Sequence, residues 1–341
     1  MTGSKWVVTS ASGVGPQHPA TATPDRRPGS IRRTSSIDVV RRDGVGDGVG
    51  DGVGGPVQIV GRARDLATDE RGGSRVVAER TLTALLAPTL QLEAIESDPP
   101  EPKLAGLVGR QVASGFRRAA VEVLPEARAA ADLLYLLLDD LPVATLVSGY
   151  ALQRAGLVPG IPRERFAPTI DLCSGWRAGG TLMQVVETSG APPMTFGPPA
   201  PRLERADDVT AWHELPDPAP RTVRRRRRID ANRRGEVLDV DAMFRDSHFD
   251  DDGAESVVHE YALHAVIDRT TLEIVAAEAT PHVLPYVECP SAAASTSRLV
   301  GLRLDAIRDR VRSEFVGTST CTHLNDLLRS LEDVRGMRTV T

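Results

Sequence analysis

Two strand patterns open the ordered part of the chain. The first begins at Ile31 and continues to about residue 41, and the second covers residues 57–60. Between them lies a four-residue repeat of Asp, Gly and Val at residues 43–55. We interpret this repeat as an expanded hairpin tip, because lengthening a surface loop costs little chain entropy.

A helical period replaces the strand pattern from Arg75 to Gly156. Apolar residues recur every four positions, at Leu104, Val108, Val112, Phe116 and Ala120, and predict one apolar helix face. A leucine-dense helix is predicted from Glu126 to Leu138, and another from Leu141 to Ala155. Asp139 and Asp140 precede Pro142, so they are interpreted as caps of that last helix.

Strand signals return near the C-terminus, followed by two helices. Val257 to Ile267 alternates apolar and polar residues, and a turn separates it from a second strand, Leu272 to Ala279. In the first strand His259 and Tyr261 share one face, while Glu260 lies on the other. Apolar positions from 300 to 315 and from 324 to 331 then predict two helices.

These patterns favour an α+β fold. Its antiparallel sheet is formed by the N-terminal hairpin and the C-terminal strands, packed with a helical insertion and two C-terminal helices. The predicted organisation is a disordered arm at 1–29, a β-hairpin segment at 30–74, a helical insertion at 75–158, an irregular Pro- and Gly-rich connection at 159–220, and an α+β segment at 221–334.

Charge and composition exclude several classes of protein. The net charge of −5 argues against a nucleic-acid partner, because such proteins neutralise phosphates with excess positive charge. The most apolar stretch, 133–150, is interrupted by two aspartates and a proline, so we expect no membrane span. Three cysteines without a Cys-x-x-Cys pair and without a secretory signal pattern predict a cytoplasmic protein.

Cys321 and His323 stand at the start of the last predicted helix. Unpaired N–H groups there favour a thiolate, so a lowered pKa for Cys321 is expected. Two residues apart in a helix point to different sides, so these two side chains can cooperate only if Cys321 is at the cap. With Cys289 they form a candidate metal set for zinc or iron. The alternative is a small, buried, inert Cys321.

His259 is the candidate general base, with Asp246 placed to orient it. The alternative is a structural histidine at the end of the sheet. Cys321 and His323 complete the set of candidate catalytic residues.

The arginine run supplies candidate ligand-binding residues. Arg224, Arg226 and Arg228 would alternate with their neighbours between the two faces of a strand, and with Arg245 they could hold an anionic substrate. The alternative is a charged edge strand that is solvated along its length.

The C-terminal motifs resemble a bacterial family of domains of unknown function whose members carry a Cys-Thr-His-Leu sequence. The resemblance covers about residues 35–65 and 221–334. The matching motifs are Gly61 to Asp65, Arg224 to Asp230, Val258 to Tyr261, Val266 to Asp268, Pro285 to Cys289, Leu299 to Leu302 and Cys321 to Leu324. Thr320 replaces the glycine usual before the cysteine. The resemblance implies positions of interest, His259, Cys289, Cys321 and His323, and no activity.

Two functions follow as hypotheses. The first is a small-molecule catabolic enzyme that uses acid/base or metal-assisted chemistry on an acidic or acyl-thioester substrate. The second is a non-catalytic metal- or ligand-binding accessory protein. Both expect a small-molecule ligand as the partner, and neither expects nucleic acid or a membrane.

Overall fold

A computed structural model describes residues 14–41, 55–155, 169–190 and 192–337 of the protein. Within these residues eight strands form one antiparallel sheet in the order β4-β3-β2-β1-β5-β6-β7-β8. The strands are β1 (Ser30–Arg41), β2 (Val57–Thr68), β3 (Ser74–Leu86), β4 (Leu92–Asp98), β5 (Val223–Arg234), β6 (Val237–Phe249), β7 (Glu255–Asp268) and β8 (Ile274–Val283). The α+β class and the joining of the N-terminal hairpin to the C-terminal strands are confirmed.

Helices cover one face of this sheet. They are α1 (Phe116–Val123), α2 (Pro125–Ala130), α3 (Leu133–Val147), α4 (Gly149–Arg154), α5 (Thr181–Ser189), α6 (Ile307–Glu314), α7 (Thr322–Ser330) and α8 (Val334–Met337), with 3₁₀ helices at Pro102–Leu107, Ser174–Trp176, Cys289–Leu299, Leu304–Ala306 and Leu331–Asp333. Alternation along each strand sends apolar side chains to this face, where they form two cores, one under α1 and α3 and one under α6 and α7. The opposite face is covered by the irregular segment that precedes β5 in sequence and by residues 14–29.

Two units of similar construction share the sheet: an N-terminal unit (30–147) and a C-terminal unit (223–337). Each begins with four antiparallel strands in a meander and continues into helices that cover its half of the sheet. The first strands match in sequence: β1 reads Arg-Arg-Thr-Ser-Ser-Ile-Asp from Arg32 to Asp38, and β5 reads Arg-Arg-Arg-Arg-Arg-Ile-Asp from Arg224 to Asp230. The two units therefore have the form of an internal repeat.

The central pair of strands joins the units symmetrically. Arg32 lies opposite Asp230, and Arg224 lies opposite Asp38. In each pair the arginine Nε is 2.6 Å from the carboxylate. Because each unit supplies one arginine and one aspartate, the β1–β5 junction is held by two equivalent ion pairs.

The long helices α3 and α7 also correspond. Buried leucines lie at 134, 137, 138 and 141 in α3, and at 324, 327, 328 and then 331, just after α7. The spacing is the same, so Leu133 occupies in the N-terminal unit the position that His323 occupies in the C-terminal unit. Leu133–Arg154 is long and apolar enough to cross a membrane, but 83% of its most apolar window is buried inside the protein, which is typical of a core helix.

Several predicted elements are corrected by this fold. Residues 75–98, predicted to be helical, contain most of β3 and all of β4. The strand pattern of β3 is weak in the sequence, because buried residues alternate only at 82, 84 and 86 and the outer half of the strand is exposed. Of the predicted disordered arm, residues 14–29 pack on the protein; Thr23, for example, is 2% exposed. Residues 43–54 of the repeat predicted as a hairpin tip lie outside the described residues.

Asp139 and Asp140 are not helix caps. Both lie inside the single helix α3, which runs through Pro142. Asp140 accepts from Arg227 at 2.7 Å, and Asp139 lies 3.4 Å from Arg329. Burial next to arginines, rather than capping, accounts for two acidic residues in the most apolar segment of the chain.

Candidate metal centre and thiol cluster

The floor of the candidate site is a buried ion pair between two neighbouring strands. Arg225 on β5 lies opposite Asp246 on β6, and the Nε of Arg225 is 3.0 Å from an Asp246 oxygen. The guanidinium also lies 3.4 Å from Asp326 and 3.8 Å from Asp140. The charge of Arg225 is therefore shared among three carboxylates, and that of Asp246 is not fully matched by one partner.

His259 lies beside Asp246 on the next strand. The two residues are register partners on β6 and β7, and a β-bulge follows directly at Asp246 and Ser247. Bulges redirect side chains at the edges of functional sites. The Nδ1 of His259 is 3.9 Å from Asp246, too far for a hydrogen bond, and this buried nitrogen has no hydrogen-bond partner among the described residues.

His323 completes the group from the helix above. Cys321 is the N-cap of α7, so His323 falls in the first turn. Its ring stacks on that of His259, with ring centroids 3.8 Å apart and planes 18° from parallel. Within the described residues, Asp246, His259 and His323 are the group of potential ligands whose donor atoms all lie within 4.8 Å of one another.

Burial sets the charge of each member. It lowers the pKa of His259 to about 3, with a further contribution from Arg225. It also lowers the pKa of His323 well below its usual value, and both His259 and Arg225 add to that effect. Burial raises the pKa of Asp246 to about 6 against the opposing charge of Arg225. Near pH 7 the site therefore offers two neutral imidazoles and one carboxylate.

This donor set suits a transition metal. Metal ligands must be deprotonated, and a neutral imidazole meets that requirement without loss of a proton. Two histidines and one carboxylate are found at catalytic zinc sites and at non-haem iron sites, which leave further positions open. The observed donor set differs from the metal set predicted from the sequence. It contains His323 but neither Cys289 nor Cys321.

The cysteines form a separate buried cluster around Tyr261. The Tyr261 hydroxyl donates to the Cys289 carbonyl at 3.4 Å. It also lies close enough to Cys321, Cys289 and Cys173 for all three thiols to influence its pKa. The expected thiolate at Cys321 is not supported: burial raises its pKa to about 12, which outweighs the N–H groups at the helix start. Burial likewise raises the pKa values of Cys289 and Cys173.

The predicted ligand-binding arginines lie on the other face of the sheet. They alternate along their strands with Arg225 and Asp246, which face the candidate site. Each has its own acidic partners: Arg224 pairs with Asp38, Arg226 with Glu204 and Glu255, Arg228 with Asp230 and Asp241, and Arg245 with Glu260. The charged-edge alternative is wrong because β5 is central in the sheet. The structure does not bring these arginines to His259.

Sequence reasoning missed Arg225 as the partner of Asp246. The signal was the alternation itself: Arg225 and Arg227 must face away from Arg224 and Arg226. His213 lies in the irregular segment before β5. His213 is buried, and its ring nitrogens lie 2.8 Å from the hydroxyl of Ser36 and 2.9 Å from that of Thr34, so it is a hydrogen-bonded structural histidine.

Comparison with known proteins gives a match for only part of the chain. No curated protein and no solved structure matches it. The N-terminal hairpin, included in the sequence resemblance, lies outside the family match. Over residues 223–336, which span nearly the whole C-terminal unit and its two histidines, the chain matches the family described as "Protein of unknown function (DUF2889)".

Proposed function

We propose that the protein binds one divalent metal ion, zinc or iron, through Asp246, His259 and His323. We further propose that it uses the ion in metal-assisted chemistry on a small acidic or acyl-thioester substrate in the cytoplasm. The observation that carries the proposal is the convergence of three ligand atoms within 4.8 Å. The unpartnered, buried Nδ1 of His259 supports it, because such a nitrogen is costly unless something binds it.

Metal binding is favoured over a metal-free general base. A base works best when its pKa is near the working pH, whereas the pKa of His259 is about 3. Asp246 is 3.9 Å from Nδ1 and does not form the hydrogen bond that an orienting carboxylate would make. Neutral imidazoles that fail as bases are good metal ligands.

The surrounding residues would hold the ligands in place. Arg225 fixes the Asp246 carboxylate from the side of β5. The first turn of α7 fixes His323, and the thiol cluster around Tyr261 packs at the cap of the same helix. A bound zinc ion would supply a Lewis acid that polarises a carbonyl oxygen. The His259 side chain is 14% exposed, which leaves a path for a ligand.

The second candidate function is a non-catalytic metal-binding accessory protein. The near-parallel stacking of the two imidazoles favours it, because stacked rings fill space that an open catalytic site would leave for substrate. The two functions share the metal and differ in turnover.

The test is a cobalt(II) titration of the purified, chelator-treated protein, followed by the visible spectrum. We expect one equivalent to bind, and His259→Ala and His323→Ala each to weaken binding by about 100-fold or more, which corresponds to about 2.7 kcal/mol. His264→Ala is the matched control, because His264 is on the same strand, faces away and is exposed. Equal affinity in all four proteins would exclude the site.

Turnover separates the two functions. The metal-loaded protein is incubated with a panel of acyl thioesters and activated esters, and hydrolysis is followed. Hydrolysis that is lost in His259→Ala and retained in His264→Ala supports the enzyme. Stoichiometric metal with no hydrolysis of any member of the panel supports the accessory protein.

A further inference from the structure

A cleft of about 600 Å³ opens between the two units. Its walls come from the helix α1 and the C-terminal half of α3 on one side, and from α6 and one side of α7 on the other. The volume is within the range of small-molecule sites, about 300–1,000 Å³. Thr322, Asn325, Asp326 and Arg329 present one side of α7 to the cleft.

One part of the cleft is apolar. Val112, Val143, Leu146, Val311 and Phe315 line it. Leu146 is 67% exposed at the rim, although most leucines of α3 are buried. An exposed leucine beside an apolar wall offers a surface that an apolar ligand tail would cover.

The other part of the cleft is cationic. Arg117, Arg118, Arg312 and Arg329 line it, and Asp326 is the acidic residue among the lining side chains. Arg117 and Arg329 pair with Asp139 and Asp326, and Arg312 lies 3.5 Å from Asp309, which leaves Arg118 as the lining arginine without an ion pair among the described residues. Arg118 is exposed at the cleft. Arg118 and the half-exposed Arg312 therefore present guanidinium groups that attract an anion to the cleft.

Two buried polar atoms at the cleft lack a partner among the described residues. Arg329 is 7% exposed; its terminal nitrogen contacts Asp326 and Asp139, but its Nε has no hydrogen-bond partner. Asn325 is 9% exposed; its amide nitrogen donates to the Phe315 carbonyl at 2.8 Å, which leaves Oδ1 unpartnered. A donor and an acceptor are thus both available to one ligand.

We propose that this cleft binds an amphipathic carboxylate, a medium-length acyl chain that carries a hydroxyl or amide N–H near its carboxylate. The carboxylate would accept hydrogen bonds from the guanidinium groups, including Arg329 Nε. The hydroxyl or amide would donate to Asn325 Oδ1, and the chain would cover the wall formed by Leu146 and its apolar neighbours. This is a second site, argued independently of the metal proposal, on the side of α7 that faces α1.

The probe for calorimetric titration is 3-hydroxyoctanoate. We expect it to bind at least about tenfold more tightly than either acetate, which lacks the tail, or 1-octanol, which lacks the charge. Equal affinity for 1-octanol or for acetate would overturn the amphipathic assignment. Octanoate, which lacks the hydroxyl, is expected to bind several-fold more weakly than 3-hydroxyoctanoate; equal binding would remove the role of Asn325.

The variants used are at exposed positions, so that folding is preserved. Leu146→Asp is expected to weaken 3-hydroxyoctanoate binding by about tenfold or more, and Arg118→Ala by several-fold, because the first adds a repelling charge and the second removes an attracting one. Arg310→Ala is the control, since Arg310 is on α6, is 51% exposed and does not line the cleft. Unchanged affinity in both cleft variants would refute the proposal.

The titration is repeated with His259→Ala. We expect carboxylate binding to persist in this variant with metal removed, which distinguishes the cleft from the metal site. Loss of carboxylate binding together with the metal would assign the ligand to the metal centre and overturn a separate cleft site.

Discussion

The N-terminal and C-terminal units have the same framework and differ at the position where chemistry is proposed. In both, a buried arginine of the first strand pairs with an aspartate of the second: Arg33 with Asp65 at 2.7 Å, and Arg225 with Asp246 at 3.0 Å. In both, a β-bulge follows that aspartate. The arginine–aspartate pair is thus part of the framework and does not by itself mark a functional site.

The residues around this pair separate the units. Ala78 lies opposite Asp65, where the C-terminal unit has His259 opposite Asp246. Leu133 takes the position of His323. The N-terminal copy has an alanine and a leucine at the two positions that imidazoles occupy in the C-terminal copy. The comparison assigns the proposed chemistry to the two histidines, within the segment that matches the family.

The largest effect is expected from removing the shared aspartates. Asp65→Asn should lower the free energy of unfolding by roughly 3–5 kcal/mol, because it breaks a buried ion pair. Arg33 then keeps one other carboxylate, Asp333, 3.6 Å away. Asp246→Asn should cost less, because Arg225 keeps two carboxylates and burial already raises the Asp246 pKa to about 6.

Urea unfolding at pH 7 measures both variants. Asp305→Asn, in which the altered carboxylate is exposed, serves as a control. We interpret the C-terminal pair as less stabilising than the N-terminal pair because it belongs to a functional site. A larger fall in the free energy of unfolding for Asp246→Asn than for Asp65→Asn would contradict this interpretation.

A smaller effect is expected at His213, which packs on the N-terminal unit. His213→Asn should lower the unfolding free energy by about 1–3 kcal/mol, because the hydroxyls of Ser36 and Thr34 lose buried partners. His259→Asn, which removes a ring without a hydrogen bond at Nδ1, should cost less in metal-free protein. Thermal unfolding of both variants after chelator treatment is the measurement; an equal loss would indicate that His259 is merely structural.

The pH dependence of stability should also change with His213. Burial lowers its folded-state pKa to about 3. Below pH 6.5 the imidazole is therefore protonated in the unfolded chain and stays neutral in the native protein. Its contribution is a fall of about 1.4 kcal/mol in unfolding free energy per pH unit from about 6.5 down towards 3. Denaturant curves at pH 6.5 and 5.5 should differ less for His213→Asn than for the parent protein; an identical slope would contradict the assignment.

The smallest signal is expected from rebuilding the site in the N-terminal unit. Ala78→His combined with Leu133→His places two imidazoles near Asp65, so the double variant should bind a second equivalent of cobalt(II), more weakly than the first. Each single variant should bind one equivalent. A second equivalent in Ala78→His alone would show that the helix position does not matter.

Much of this arrangement can be predicted from the sequence, and the reasons for failure are specific. The strand faces of β7 follow from alternation, which placed His259 and Tyr261 together and Glu260 opposite. The two C-terminal helices follow from apolar spacing, and Cys321 at the cap of α7 agrees with the helix geometry required for it. Such local elements can be predicted because their buried positions recur at the period of the strand or helix, which places apolar residues at the same period in the sequence.

Pairings across the sheet could not be read in this way. Asp139 and Asp140 look like caps until arginines from a distant strand are placed beside them, and Cys321 looks reactive until burial raises its pKa. The internal repeat was visible, however: Arg-Arg-x-x-x-Ile-Asp occurs twice, at 32–38 and 224–230, and Val-Val-x-Glu occurs twice, at 76–79 and 257–260. This repeat predicts that β3, like β7, is a strand.

The β1–β5 junction also determines which units can assemble. Thr34, Ser35 and Ser36 of β1 stand opposite Arg228, Arg227 and Arg226 of β5, so small hydroxyl side chains leave room for guanidinium groups. Two copies of β5 in the same register would set Arg226 against Arg228 and Arg227 against itself, and like charges directly opposite repel. The C-terminal unit therefore cannot pair with itself as it pairs with its neighbour, and the fused chain favours one unlike partner held at the high effective concentration of a tether.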